Sequence, residues 1–319
     1  PPPKPLEEAQ MGGALFYKGV GMKRGLSIDG QVALMKKRGL IINDESACFQ
    51  FLGANSYYRF SGYARYFQEA PHLGDDRFRP GITFDQIREI YDADEYIKHE
   101  IMYSLAKVEL MLRTRVIQVV VDKYSPYKKY LERGFYVDSN IGIPTAESCI
   151  QDIERSRDRH ILHYRQPDNT CYHQYQELPI WSAVEAWSFG TLSKVIERGA
   201  QGSLTESVAL STGVAKAGFA SRIRALVYLR NRCAHHSRLW NHSVIDAGST
   251  PNNVRVKAKK LAGQFEPRSV IDIIASLDDI SLRSKATDLL LPRLVEEYSH
   301  NSEFWSGLSR PQNPRDHVG

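Results

Sequence analysis

The chain has 319 residues, 42% of them hydrophobic and 25% charged, which is enough apolar side chain to bury a core and argues against a disordered polypeptide. Lys and Arg (42) exceed Asp and Glu (37) for a net charge of +5, a mild excess that permits nucleic-acid binding without requiring it. Four cysteines, Cys48, Cys149, Cys171 and Cys233, stand far apart with no CxxC, which argues against a zinc ribbon or disulfide framework and fits reduced thiols in a cytoplasm.

No apolar run reaches the roughly 18 residues a membrane-spanning helix needs, so no membrane partner is expected. The opening Pro1-Pro2-Pro3-Lys4-Pro5 has no apolar stretch after it and is not a signal peptide. Residues 1–25 are read as a disordered or artificially appended lead, with Met11 and Met22 both open as native starts.

From there the apolar spacing is helical almost throughout. Ile28 to Arg38 predicts a short helix stopped by Gly39, and Glu45 to Tyr58 predicts a second. A Pro-, Gly- and Asp-rich loop covers Pro71 to Gly81. Thr83 and Gln86 have capping-box spacing and start a long helix that runs to about Tyr124 with a possible break near His99. Ile101, Leu105, Val108, Leu112, Val116 and Val119 form its buried stripe. Ser125-Pro126 ends it, and Tyr127 to Pro144 is irregular. Helices are predicted over Thr145–Tyr164, Ile180–Arg198 (stopped by Gly199), Thr205–Thr212 and Phe219–His235. Asp246 to Arg268 reads as a polar surface loop, and Val270 to Tyr298 as one or two closing helices with Pro292 at a break or an N1 position. No strand pair and no internal repeat is expected.

The Phe219–His235 helix carries the chemistry. With Phe219 set at zero and about 100° per residue, Ile223, Leu226 and Cys233 fall within about 40° of it, and Arg230 falls at about 20°, inside the apolar stripe. An arginine there needs an ion pair or a bound anion. Asn231 and His235 share another face, with His235 about 140° from Arg230. A single straight helix does not aim both at one phosphate. Either the helix frays at His235 or a partner supplies the complementary group. The end of a helix favours a cation, and imidazolium suits phosphate contact or proton donation.

Arg230-Asn231-x-x-x-His235 matches the R-x4–6-H motif of HEPN ribonucleases. The longer string Leu229-Arg230-Asn231-Arg232-Cys233-Ala234-His235-His236-Ser237-Arg238-Leu239-Trp240-Asn241 resembles the signature of the Abi-like family of abortive-infection proteins, of the AbiD/AbiF type. Other segments resemble that family in the same order: Leu34 to Ile42 around Arg38-Gly39-Leu40; Asn55-Ser56-Tyr57-Tyr58-Arg59-Phe60-Ser61-Gly62-Tyr63; Phe84, Ile87 and Tyr91-Asp92; Glu109 with Arg113; Leu178-Pro179-Ile180-Trp181; and Ser188-Phe189-Gly190-Thr191-Leu192-Ser193. The family's F-D-x-x-L-R is replaced here by Ala93-Asp94-Glu95-Tyr96-Ile97-Lys98, so only Asp94 keeps any interest in that segment.

The resemblance implies an all-α fold, a HEPN-type helical bundle with additional N- and C-terminal helices. It is expected as a single domain over 26–308, with the bundle core at about 83–241 and a flexible tail at 309–319. It also implies a homodimer with a composite cleft, metal-independent cleavage of RNA in antiphage defence, and restraint by a cognate small non-coding RNA. In that chemistry Arg230 holds the phosphate, His235 transfers the proton and Asn231 orients either one. No cofactor and no metal is expected. A non-catalytic RNA-binding module using the same basic cleft, or a structural interaction domain, is the alternative.

Six further residues are candidates for support or RNA contact. His236 is a second acid or a packing neighbour, and Arg238 an RNA contact or a surface charge. Tyr58 and Arg59 are candidate RNA contacts, though tyrosines at the spacing of Tyr57, Tyr58 and Tyr63 also suit a core. Glu109 and Arg113 form an i,i+4 pair, and Glu109 supports Arg230 if it faces it. His160, His163, Cys171 and His173 have loose metal-like spacing and are read as solvated or packing residues; the Arg255, Lys257, Lys259, Lys260 run in its loop is read as solvated, with a grip on a phosphate backbone as its alternative.

Overall fold

A computed structural model describes residues 25–139, 142–166, 171–244, 248 and 250–312. The expected disordered lead, apart from Gly25, and most of the expected tail lie outside the described residues, as does the Cys171 side chain. The fold is all-α: fourteen α-helices and a single two-stranded sheet among the described residues. The chain divides into two compact units, one up to Tyr96 and one over Ile97–Pro311.

In the first unit, α1 (Ile28–Lys37) starts on Ser27, whose side chain accepts from the Gly30 N–H. It stops at Gly39, whose φ of 92° is the left-handed value the stop requires. α2 (Glu45–Ala54) and α3 (Tyr57–Ala64) replace the single helix expected over 45–58. The reason is local. Asn55 is extended, and the Ser56 hydroxyl accepts from the Arg59 N–H, so the chain caps a new helix there instead of continuing the old one. A hairpin of β1 (Gln68–Ala70) and β2 (Asp75–Phe78) occupies part of the segment expected as loop, correcting the expectation of no strand pair. Pro71 to Gly74 supply its turn, and Arg38 ties it down through Asp76 at 3.0 Å. Phe51, Phe60, Phe84 and Tyr91 pack as a tilted and edge-to-face cluster with centroids 5.0 to 5.8 Å apart. Asp94 is buried and accepts from the Tyr63 hydroxyl at 2.5 Å, which explains that carboxylate as part of the core.

α4 (Phe84–Lys123) is unbroken; no kink occurs near His99. The Thr83 hydroxyl accepts from the Gln86 N–H at 3.1 Å, as the capping-box spacing predicts. All six residues of its expected stripe are buried.

The second unit adds α5 (Thr145–Arg155), α6 (Arg159–Leu162), α7 (Ile180–Ala186), α8 (Phe189–Arg198), α9 (Leu204–Thr212), α10 (Phe219–Ala234), α11 (Asn252–Ala262), α12 (Val270–Ser284), α13 (Leu291–Tyr298) and α14 (Ser302–Ser309). Two expected helices are each split. The stretch over 145–164 breaks where Ser156 turns extended and bonds Asp158. The stretch over 180–198 breaks at Trp187, because Ser188 caps α8 through the Thr191 N–H. At the end of α8 a Cβ on Gly199 would press against the Val195 carbonyl, so glycine is needed there for close approach. α11 corrects the surface loop expected over 246–268. Val254, Ala258 and Ala262 recur every fourth residue and are buried, so its polar composition belongs to the outer face of a helix.

The core of this unit joins α8, α10 and α12. α12 is apolar almost all round, with Val270, Ile271, Ile273, Ile274, Leu277 and Ile280 buried, and packs against α9, α10, α11, α13 and α14. Pro292 sits in the first turn of α13, where its missing N–H costs nothing, and Asp278 of α12 accepts from the Leu290 and Leu291 N–H groups. Among the described residues, no helix is long and apolar enough to cross a membrane.

Candidate functional site

α10 buries Phe219, Ile223, Leu226, Leu229 and Cys233, as its spacing predicts. The wholly buried arginine of this helix, however, is Arg222, not Arg230. Arg222 is 2% exposed and donates to the Ser276 hydroxyl and carbonyl and to Asp279 at 2.8 to 2.9 Å. That is an internal structural ion pair.

Arg230 lies at the edge of the stripe, with 27% of its side chain exposed. Three elements hold it. The Glu109 carboxylate of α4 is 3.7 Å away, the Asn231 side-chain oxygen accepts from it at 3.2 Å, and the Phe189 ring of α8 lies 5.9 Å below its guanidinium carbon. Asn231 and Phe189 thus fix the plane of the guanidinium, and Glu109 supplies the opposite charge.

Glu109 is shared. Its other oxygen accepts from Arg113 at 2.6 Å, and Arg113 also donates to the carbonyls of Val184 and Trp187. Arg113 is therefore consumed by the end of α7 and is not presented outward. One carboxylate between two guanidinium groups leaves a net positive charge, and the looser partner is the partly exposed Arg230. This arrangement can accept an anion such as a phosphate.

α10 ends at Ala234, and His235 is its C-cap, with φ −90° and ψ 10°. His235 is exposed. The helical bonding thus reaches its last member at His235, whose N–H ends on the Asn231 carbonyl at 3.0 Å. His236 follows with φ 50° and is also exposed. The Arg238 carbonyl accepts from Arg232, and Leu239 and Trp240 are buried. The chain then returns to α10, where His242 meets Tyr228 with 2.8 Å between the imidazole Nε2 and the hydroxyl. Burial, reinforced by the charges of Arg232 and Arg238, pushes the His242 imidazole down to about 4, so it is neutral at pH 7.

Tyr58 and Arg59 belong to the first unit. Tyr58 is 86% exposed, and Arg59 lies 3.8 Å from Glu95. Tyr57 and Tyr63 are bonded into that unit through Arg38 and Asp94. The loosely spaced histidines do not converge: among the described residues no group of three His, Cys, Asp or Glu side chains is placed to hold a metal ion. Cys48, Cys149 and Cys233 are buried thiols outside any disulfide.

Sequence reasoning missed Phe189, Tyr228 and His242. Tyr228 precedes His235 by seven residues, two turns on the same face, and that spacing was the available signal. His242 reaches the helix only through the reversal after His235, which no periodicity encodes.

Comparison with curated proteins and with solved structures finds no match. The family model of the Abi-like proteins matches residues 50–241, from α2 through Glu109, Phe189 and Arg230 to the loop after α10. The matched segment holds Glu109, Phe189 and Asn231, the three partners of Arg230 described above, and covers more than half of the chain, which belongs to the Abi-like protein family.

Proposed function

We propose that this protein is a HEPN-type, metal-independent endoribonuclease acting in abortive-infection defence against phage. Family membership supports the defence setting. The observation that carries the chemistry is Arg230, partly exposed and oriented by Glu109, Asn231 and Phe189, five residues before the exposed His235 at the end of the same helix.

Cleavage by attack of the ribose 2′-hydroxyl on the adjacent phosphorus needs a proton acceptor, a proton donor and a cation for the phosphorane charge. Arg230 supplies the cation, His235 moves protons, and Asn231 keeps the guanidinium in place. His236 and Arg238 follow His235 in the same loop.

The working unit is a two-fold dimer in which the two α10 helices face each other and each cleft draws on both copies. Exposed Tyr103 and Leu110, seven residues apart on α4 and flanking Glu109 in sequence, offer apolar surface for such a partner. A cognate small non-coding RNA restrains the cleft until infection.

The test is incubation of the purified chain with RNA, with and without EDTA, followed by end mapping. The expected result is cleavage that survives EDTA and leaves 2′,3′-cyclic phosphate ends. Cleavage lost in EDTA and restored by Mg²⁺ would point to two-metal chemistry elsewhere. RNA retained but uncut would favour a non-catalytic RNA-binding module.

A further inference from the structure

The outward side of α10 carries an aromatic pair, Tyr228 with His242, that the proton-transfer chemistry does not use. Tyr228, Asn231 and His235 follow at i, i+3 and i+7, so they line one face of the helix. Arg224 precedes them by one turn on the same face. Tyr228 is partly exposed, and so is His242, which the returning chain lays against it.

The two rings form a locked pair. The Tyr228 hydroxyl and His242 Nε2 are 2.8 Å apart, the ring planes lie within 7° of parallel, and the centroids are 5.8 Å apart. The chain makes an uncommon turn to achieve this. His236 and Asn241, neither a glycine, both adopt φ of 50°, and the turn between them is pinned by the buried Leu239 and Trp240.

Around the pair stand Arg232 and Arg238, whose charges both reach the His242 ring. The Arg232 Nε is buried with no hydrogen-bond partner. Burial and these two cations keep the imidazole uncharged, and the parallel, partly exposed rings form a neutral pair beside two guanidinium groups. Neutral rings beside guanidinium groups are what a single-stranded nucleic acid needs, bases stacking on the rings and phosphates pairing with the cations.

We propose that Tyr228 and His242 form a nucleobase-stacking platform, which seats the base beside the phosphate that His235 handles while Arg232 and Arg238 hold the flanking backbone. The proposal rests on the RNA-cleavage reading and names where that RNA runs: along the outer face of α10.

The experiment is anisotropy of the full chain with a labelled 2′-fluoro oligonucleotide, which lacks the attacking hydroxyl and so binds without being cut, at several salt concentrations. Tyr228→Leu is expected to weaken binding roughly 5- to 100-fold, the span of one base stacked on an aromatic ring, with an unchanged salt slope. Arg238→Ala is expected to lower the slope by about one, the signature of a lost phosphate contact. The oligonucleotide is then made abasic one position at a time. At a single position the Tyr228→Leu penalty should vanish, because the base it acts on is gone. His242→Ala should show the same positional dependence, and it keeps the test open if Tyr228→Leu folds poorly. A penalty that stays constant at every abasic position, or no penalty at all on an oligonucleotide the wild-type chain binds, overturns the platform and leaves the RNA reading standing. No binding by the wild-type chain at micromolar concentration removes both.

Discussion

Glu109 divides its two carboxylate oxygens between two arginines, one 2.6 Å from Arg113 and the other 3.7 Å from Arg230. Arg113 is the fixed partner, since backbone carbonyls hold it as well. Arg230 is the more loosely paired one, and the site keeps a net positive charge while restricting where that charge sits. Glu109→Gln keeps the shape and removes the charge. It is expected to lower RNA cleavage about 100-fold through kcat, because a guanidinium displaced by about 1 Å misses the phosphorane. Single-turnover rates with saturating RNA check this, and an unchanged rate would remove Glu109 from the mechanism.

His235→Ala is expected to abolish cleavage, a loss of about 10² to 10⁴ for a missing proton-transfer group. Stability should stay within about 0.5 kcal/mol, because the side chain is exposed at a helix end. Overproduction in cells supplies the readout: wild type should arrest growth and the variant should not. A toxic, well-expressed His235→Ala chain would sink the assignment.

A shared cleft makes a complementation prediction. Arg230→Ala and His235→Ala proteins, each inactive alone, should recover part of the wild-type activity when mixed and allowed to exchange, because one cleft then receives both groups. A chain that cuts RNA while monomeric by light scattering would contradict this.

Arg222→Ala tests the internal ion pair rather than the site. It strips Ser276 and Asp279 of a buried donor, though Asp279 keeps Arg283 at 2.8 Å. The expected cost is about 3 kcal/mol, read as a lower urea midpoint with an unchanged slope.

His242 gives stability a pH dependence of definite sign. Its folded value of about 4 lies below the ordinary 6.5, so the neutral form is preferred in the native state. That contribution is complete above pH 6.5 and is lost as pH falls towards 4. Asp278 acts in the opposite sense: burial raises it to about 6, so its contribution is complete below 3.8 and lost as pH rises through 6. The check is therefore a difference. Between pH 7 and pH 5, wild type should lose more melting temperature than His242→Gln, and equal losses would argue against a neutral, buried imidazole.

The helical periods of α4 and α10 were legible because both elements bury one stripe, and burial writes its period into the sequence. Ser56 and Ser188 misled the reading. Each sits inside an apolar-periodic stretch, and its decision to cap a new helix depends on how the flanking helices pack. α11 was hidden for a different reason: its buried face consists of Val254 and two alanines, too little apolar surface to stand out from lysines. In the site, Arg230, Asn231 and His235 were readable from one motif. Arg230 looked more deeply buried than it is because angular position alone ignores its length, which carries the guanidinium to the rim. Its contact with Glu109 crosses 121 positions of sequence, and spacing holds no record of such a distance.

Trp240 rests on α14, donating to the Glu303 carbonyl and packing so closely on Gly307 that a Cβ there would collide with the indole. The Asn241 N–H also ends on the Gly307 carbonyl. The seat for the loop that carries His235, His236 and His242 is thus encoded more than sixty residues downstream of it. A ribosome makes α10 and its histidines well before it makes the helix that braces them. The nascent chain therefore holds His235, His236 and His242 on an unsupported loop until Gly307 has left the exit tunnel.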